Sequence, residues 1–186
     1  MAKRKSKKNN QTKLILSIIL IVLSALTLCS LFMPVFTSKL TSVLGSSNSV
    51  SNTVGKDVLT ACFNGKVSGD FSNGANTLIS LKNSDDNGFV TAVFCWSYFI
   101  AIIASAGILV TSVLSLIKIR INLINLILGV ALLVLSVVAF VFGLILAGKF
   151  GYTGYLTAYK TSVSWGVFMM IAGLITGCAE IYSTKL

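Results

Sequence analysis

Four cysteines and five acidic residues are the side chains that could carry chemistry in this 186-residue chain, which contains no histidine. Cys62 lies in a long polar segment, and Cys95 lies at the start of an apolar run. If that segment is external, both cysteines meet an oxidising compartment. They could then form a disulfide or remain free thiols. Cys29 and Cys178 lie inside apolar runs, and we expect them to be buried small hydrophobic residues. No pair has the Cys-x-x-Cys spacing, which argues against a disulfide-exchange enzyme.

The remaining polar residues form no recognisable catalytic or metal-binding pattern. The absence of histidine removes the commonest general base and metal ligand. Asp85 and Asp86 are adjacent in a segment rich in Gly and Asn, but the alternating oxygen ligands of an EF-hand are missing, so we expect a solvated turn. Glu180 lies one position from the end of an apolar run and is expected to meet Lys185, Lys118 or water. The sequence therefore predicts neither an enzyme nor a bound cofactor or metal.

The elements that position these residues are four long apolar runs. The chain is 55% hydrophobic and only 11% charged, against about 25% charged residues in a soluble domain. Roughly 20 helical residues cross a hydrocarbon core, and backbone groups in lipid must bond internally. We therefore predict an all-α membrane protein, a four-transmembrane-helix bundle. Its spans are expected at 14–36, 89–117, 121–147 and 162–181.

The distribution of positive charge predicts the orientation. Lys and Arg concentrate in cytoplasmic segments next to spans, and six of the 15 precede the first run: Lys3, Arg4, Lys5, Lys7, Lys8 and Lys13. We expect tails 1–13 and 182–186 in the cytoplasm, with loops 37–88 and 148–161 outside. Lys118 and Arg120 would anchor the inner turn 118–120. This pattern indicates a cell-membrane protein whose cations meet an anionic inner leaflet, rather than a nucleic-acid-binding protein.

The outer loop 37–88 is the one sizeable polar segment. Asn64-Gly65 is a strong hairpin signal, and it predicts strand 58–63 paired with 66–71. The run 77–81 also has the β-branched content of a strand. We expect 37–88 to fold as a small β-containing extracytoplasmic cap on the helix ends, completed by loop 148–161.

Small residues predict how the spans pack, because helices in lipid associate through close approach. In span two the candidate packing positions lie four residues apart, at Ser97, Ala101 and Ser105. In span four Gly173 and Gly177 have the same spacing, and Gly166 is a further candidate. Asn125 lies one turn deeper than Asn122 and needs a partner across a helix interface, or else it lines a polar path. An aromatic belt is expected at the outer boundary, made of Trp96, Tyr98, Tyr152, Tyr155, Tyr159 and Trp165.

The layout resembles the claudin and peripheral-myelin-protein superfamily of four-span (tetraspan) membrane proteins. Met33-Pro34 leaves the first run as claudins leave their first span, and the segment SWGVFMMIAGLITGC is similar to their fourth span. The likeness is one of topology. The claudin first-loop pattern of a Trp, Gly-Leu-Trp and two cysteines is absent, since this loop has no Trp and only Cys62.

Two functions are compatible with these features. The first is a structural or interaction protein that binds a protein partner or a second copy through its extracytoplasmic loop, or that serves as a subunit of a membrane complex. The second is a small transport or channel-forming subunit, which would need to oligomerise because four spans rich in Leu, Ile and Val leave no polar lumen.

Overall fold

The structure is a computed structural model, and it describes residues 2–42, 49–64, 74–117, 119, 122–149, 152–153 and 157–185. The elements in chain order are α1 (Ala2–Cys29), β1 (Pro34–Ser42), β2 (Ser49–Val54), α2 (Gly55–Phe63), α3 (Gly74–Lys82), α4 (Gly88–Leu116), α5 (Asn122–Lys149), β3 (Tyr152–Thr153), β4 (Thr157–Val163) and α6 (Trp165–Lys185).

Four of the helices are long and apolar enough to cross a membrane. They are Gln11–Cys29 within α1, together with the whole of α4, α5 and α6. α5 packs against α4 and α6, and α1 packs against the same two helices on the other side. The protein is therefore a multi-pass membrane protein, and the predicted fold class, a four-helix bundle with a small β-containing cap, is confirmed.

The first apolar run, 14–36, is divided between a helix and a strand. α1 ends at Cys29, and its last turn is closed by Ser30 N donating to Thr27 O (3.2 Å) and Leu31 N donating to Leu28 O (3.1 Å). Pro34 then begins β1; its fixed φ and missing N–H suit the start of a strand rather than the interior of a helix. The break lets the chain turn from the bundle directly into the cap.

A four-stranded antiparallel sheet has the order β2-β1-β4-β3. β1 pairs with β2 on one side, from Pro34↔Val54 to Leu40↔Ser49. On its other side β1 pairs with β4, from Phe36↔Val163 to Ser42↔Thr157. The sheet thus joins the segment after α1 to the segment before α6. We call this sheet, together with α2 and α3, the cap, and the end of the bundle that carries it the cap end.

The predicted hairpin strand 58–63 is wrong, because these residues form most of α2. The run 77–81 is likewise helical and lies in α3; the proposed partner strand 66–71 lies outside the described residues. The buried residues of α2 include Val58, Ala61 and Cys62, which follow the helical i, i+3, i+4 spacing. Val54 N donates to Asp57 Oδ2 (2.9 Å), so an acidic side chain also satisfies a backbone donor at the start of α2.

Candidate functional site

The cap is seated on the bundle by β1, which continues from α1. Val35 and Phe36 are both buried, and the ring of Phe36 lies 5.3 Å from that of Phe94 in α4. Ser164 N donates to Val35 O (2.9 Å), which ties the start of α6 to the same strand. Within the sheet, the hydroxyls of Ser38 and Thr161 are hydrogen-bonded at 2.9 Å. The two segments that form the sheet are therefore held as one unit against the end of the bundle.

α2 begins at a close backbone contact with the end of α1. A Cβ on Gly55 would lie 2.5 Å from the Tyr98 hydroxyl and 2.7 Å from Leu31 Cα. Gly55 N donates to Met33 O (3.1 Å) and Lys56 N donates to Leu31 O (2.9 Å). Only a residue without a side chain fits here, and it lets the first turn of α2 bond to the chain that leaves α1.

Lys82, the last residue of α3, closes the other end of α2. Its Nζ donates to the carbonyl oxygens of Ala61 (2.5 Å), Asn64 (3.0 Å) and Cys62 (3.5 Å). A cation at a helix C-terminus satisfies carbonyls that have no partner within the helix and favourably meets the helix dipole. Sequence reasoning assigned no role to Lys82, because its contact with carbonyls 18 to 21 residues earlier in the chain is visible only in the folded protein.

Cys62 of α2 and Cys95 of α4 are brought together at this junction. Both are buried, at 6% and 0% exposure, and both are free thiols whose side chains lie close enough to interact. A hydrogen bond from Cys95 and the nearby charge of Lys82 lower the pKa of Cys62 below its ordinary value, whereas burial acts in the opposite direction. The disulfide between Cys62 and Cys95 stays a prediction. The expectation that Cys29 and Cys178 are buried is wrong, because both lie on the outer face of their helices and are exposed.

Aromatic residues line the cap end where α2 lies on α4. Phe63 makes edge-to-face contacts with Phe99 (5.0 Å) and Trp96 (5.8 Å), and Trp165 is 69% exposed at the start of α6. Exposed Trp and Phe at this level are typical of a membrane interface. Tyr98 was expected in this belt, but that prediction is wrong. The residue is fully buried, and its hydroxyl donates to Ser30 Oγ (2.9 Å). The side chains of Tyr152, Tyr155 and Tyr159 lie outside the described residues.

The small residues predicted for packing lie in the helix interfaces. A Cβ on Gly177 would lie 2.7 Å from Gly129 O in α5, and one on Gly173 would lie 2.5 Å from Ser136 Oγ. Gly166 faces the strand β1, because a Cβ on it would lie 2.9 Å from Pro34 O. In α4, Ser97 and Ala101 are buried, and Ser105 Oγ donates to Ser24 O of α1 (3.0 Å).

A group of polar side chains, here called the polar group, lies at the end of the bundle opposite the cap. All four spanning helices contribute to it, and Glu180 is 1% exposed within it. The group lines a cavity of about 10 Å³, roughly the room that one water needs. Its lining residues are Ser17, Leu20, Ser112, Ser115, Asn122, Asn125, Glu180 and Ser183.

The side chains of this polar group are incompletely satisfied by the described residues. Ser112 Oγ and Asn125 Oδ1 are buried and have no hydrogen-bond partner among them, and Ser17 Oγ lies 3.2 Å from Ser115 Oγ. The sequence placed Glu180 near the helix end but did not predict its burial beside Asn125. Lys118 and Arg120 lie outside the described residues, as do the side chains of Lys3, Arg4, Lys5, Lys7 and Lys8; Lys13 is half-buried.

Within the described part of the chain, no three His, Cys, Asp or Glu side chains are grouped to hold a metal ion. No protein-family model matches the chain, and no curated protein is a significant match.

Proposed function

We propose that this protein is an interaction tetraspan, whose cap binds a protein partner or a second copy outside the cytoplasm. The observation that carries the proposal is the sheet in which β1 pairs with β4, across Phe36↔Val163 and the pairs that follow. A bundle needs only short connections, yet here both connecting segments are used to build one ordered surface. An ordered surface loses little conformational entropy on binding.

The proposed orientation follows from charge. Five cations precede the first span, Lys13 lies in its first turn, and the sequence between α4 and α5 carries Lys118 and Arg120. The long cap segment follows the first span and precedes the second, so in a four-span chain these cations belong to the other side, and positive charge marks the cytoplasmic side. We propose that these residues meet the anionic lipids of the cell membrane's inner leaflet. The proposed likeness to claudin and peripheral-myelin-protein tetraspans is supported by the four apolar helices alone.

The proposal is tested by removing most of the cap. A variant in which a short Gly/Ser linker replaces 45–84 lacks β2, α2 and α3 but keeps the four spans. A matched control, Val130→Ala, changes an exposed residue of α5 and leaves the cap intact. Each protein is chemically cross-linked in its native membrane, and the products are compared by quantitative mass spectrometry.

We expect a discrete cross-linked species, with a partner protein or a second copy, in the parent protein and in Val130→Ala. The species should be lost from the linker variant, provided that this variant is recovered from the membrane fraction at a comparable level. An unchanged species in the linker variant would show that β2, α2 and α3 do not form the binding surface, which would contradict the proposal for this part of the cap and leave only β1, β3 and β4.

The polar group around Glu180 favours a second candidate function, a small transport or channel-forming subunit. Ionisable residues inside membrane spans are costly and commonly line solute or ion pathways. Against this candidate, Phe94 and Tyr98 are fully buried at the cap end, where a continuous path would have to pass. Solute flux through liposomes containing the pure protein, abolished by Glu180→Gln, would favour transport over interaction.

A further inference from the structure

The contact between Cys62 and Cys95 joins α2 of the cap to the spanning helix α4, which are otherwise held together by side-chain packing. Cys62 is in the last turn of α2, and Cys95 is in the second turn of α4. Their side chains lie close enough to interact, and Phe63, next to Cys62, packs on Trp96, next to Cys95. Both are buried, so neither has the ordinary reactivity of an exposed surface cysteine.

The surroundings of Cys62 favour the thiolate, which is the nucleophilic form of cysteine. Lys82 donates to the carbonyls of Ala61 and Cys62, so its positive charge stays close to the Cys62 sulfur. The hydrogen bond from Cys95 acts in the same direction, and together they lower the pKa of Cys62 against the effect of burial. Cys62 is also slightly more exposed than Cys95, at 6% against 0%.

We propose that Cys62 and Cys95 are a thiol–disulfide exchange pair that takes a small-molecule disulfide as oxidant and closes into a reversible cross-link between the cap and the second span. Cys62 is the attacking residue, and Cys95 is the resolving residue. The inference does not depend on whether the cap binds a partner.

The exchange balances in two steps. The Cys62 thiolate attacks one sulfur of the small disulfide, which forms a mixed disulfide and releases one small thiol after proton uptake. Cys95 then loses its proton and attacks the Cys62 sulfur, which releases the second small thiol. In total, two cysteine thiols are oxidised, and their two electrons and two protons reduce one small disulfide to two thiols.

The cross-link would act on the cap through α2. The residue after Cys62 is Phe63, which packs on Trp96 and Phe99 next to Cys95 in α4. A covalent bond at this point holds α2 against the span, and it restricts the unfolded chain between the two cysteines. The oxidised form is therefore the more stable one, and its cap is the more firmly seated.

The test uses the full chain purified in detergent and equilibrated with glutathione at a series of oxidised-to-reduced ratios. Remaining thiols are alkylated, and the protein is analysed by intact mass and by peptide mapping. We expect the oxidised protein to lose two hydrogen atoms, to give a single Cys62–Cys95 peptide pair and to return to the dithiol when reduced glutathione is in excess. Its midpoint of thermal unfolding should rise.

Two variants make the test specific. Cys95→Ser removes the resolving thiol, so Cys62 should accumulate as a mixed disulfide with glutathione and the thermal midpoint should not rise. Cys178→Ser, a matched change at an exposed cysteine of α6, should leave the cross-link unaffected. The proposal is overturned if both thiols stay alkylatable in excess oxidised glutathione, if the bond forms only in denaturant, or if oxidation does not raise the thermal midpoint.

Discussion

Replacing Gly177 with Ala tests the closest approach between two spanning helices. The added Cβ would lie 2.7 Å from Gly129 O, 2.8 Å from Leu133 N and 2.9 Å from Leu133 Cβ. Two of these three atoms belong to the backbone of α5, which cannot rotate away as a side chain can. The substitution therefore has to move α5 and α6 apart and weaken the packing on either side.

The expected loss follows from two opposing effects. Overpacking a tight interface costs about 1–3 kcal/mol, and we take the upper part of that range because the contacts are with backbone. The better helix propensity of Ala offsets about 1 kcal/mol of this cost. The net loss of about 2 kcal/mol corresponds to a fall of roughly 4–8 °C in the unfolding midpoint for a chain of this size.

The assay heats the detergent-extracted protein and measures how much remains monodisperse on gel filtration. Gly148→Ala is the matched control, because it makes the same change in α5 where no atom lies within 4 Å of the new Cβ. We expect Gly148→Ala to unfold at or above the parent's midpoint. Equal midpoints for Gly177→Ala and Gly148→Ala would refute the close contact between α5 and α6.

Three further predictions concern the cap and the topology. Gly55→Ala should speed hydrogen exchange across the segment 51–64, because its Cβ would overlap the chain leaving α1; unchanged exchange would contradict that contact. Lys82→Met should lower the free energy of unfolding by about 1–3 kcal/mol, because the carbonyls at the end of α2 lose a charged donor. Lys56→Met changes an exposed side chain and should have little effect, so equal effects of the two substitutions would exclude the role given to Lys82. In a variant without native cysteines, a cysteine at Ser47 should be labelled on intact cells and one at Ser6 only after permeabilisation, and the reverse pattern would invert the orientation.

The spans could be predicted from the sequence because each is a long apolar run, and that property does not depend on the rest of the fold. The helices of the cap were missed for a local reason. Val58 and Thr60 are β-branched and Asn64-Gly65 is a hairpin signal, which together favoured strands. The helical spacing of Val58, Ala61 and Cys62 was present in the same window, but burial in the folded protein was needed to decide between the two patterns.

Features that depend on distant contacts could not be predicted. β1 pairs with β4 across more than a hundred residues, from Phe36↔Val163 onward, and neither strand alone specifies that partner. The burial of Glu180 could not be predicted for the same reason. The sequence placed Glu180 near a helix end, but the rotation of α6 in the bundle decides that it is buried. The proximity of Cys62 and Cys95 was anticipated as one alternative, and the contact of Lys82 with the end of α2 was not anticipated.

Site-specific photo-cross-linking in intact cells tests the proposed role of the cap most directly. A photoreactive residue is introduced at exposed cap positions, Asn52 and Asn64, and at exposed positions of α5, Val130 and Leu144. The proposal predicts discrete protein adducts, either with a partner or with a second copy, from the two cap positions and none from the two α5 positions. Adducts from α5 alone would contradict it and move the binding surface to the membrane-embedded face of the bundle.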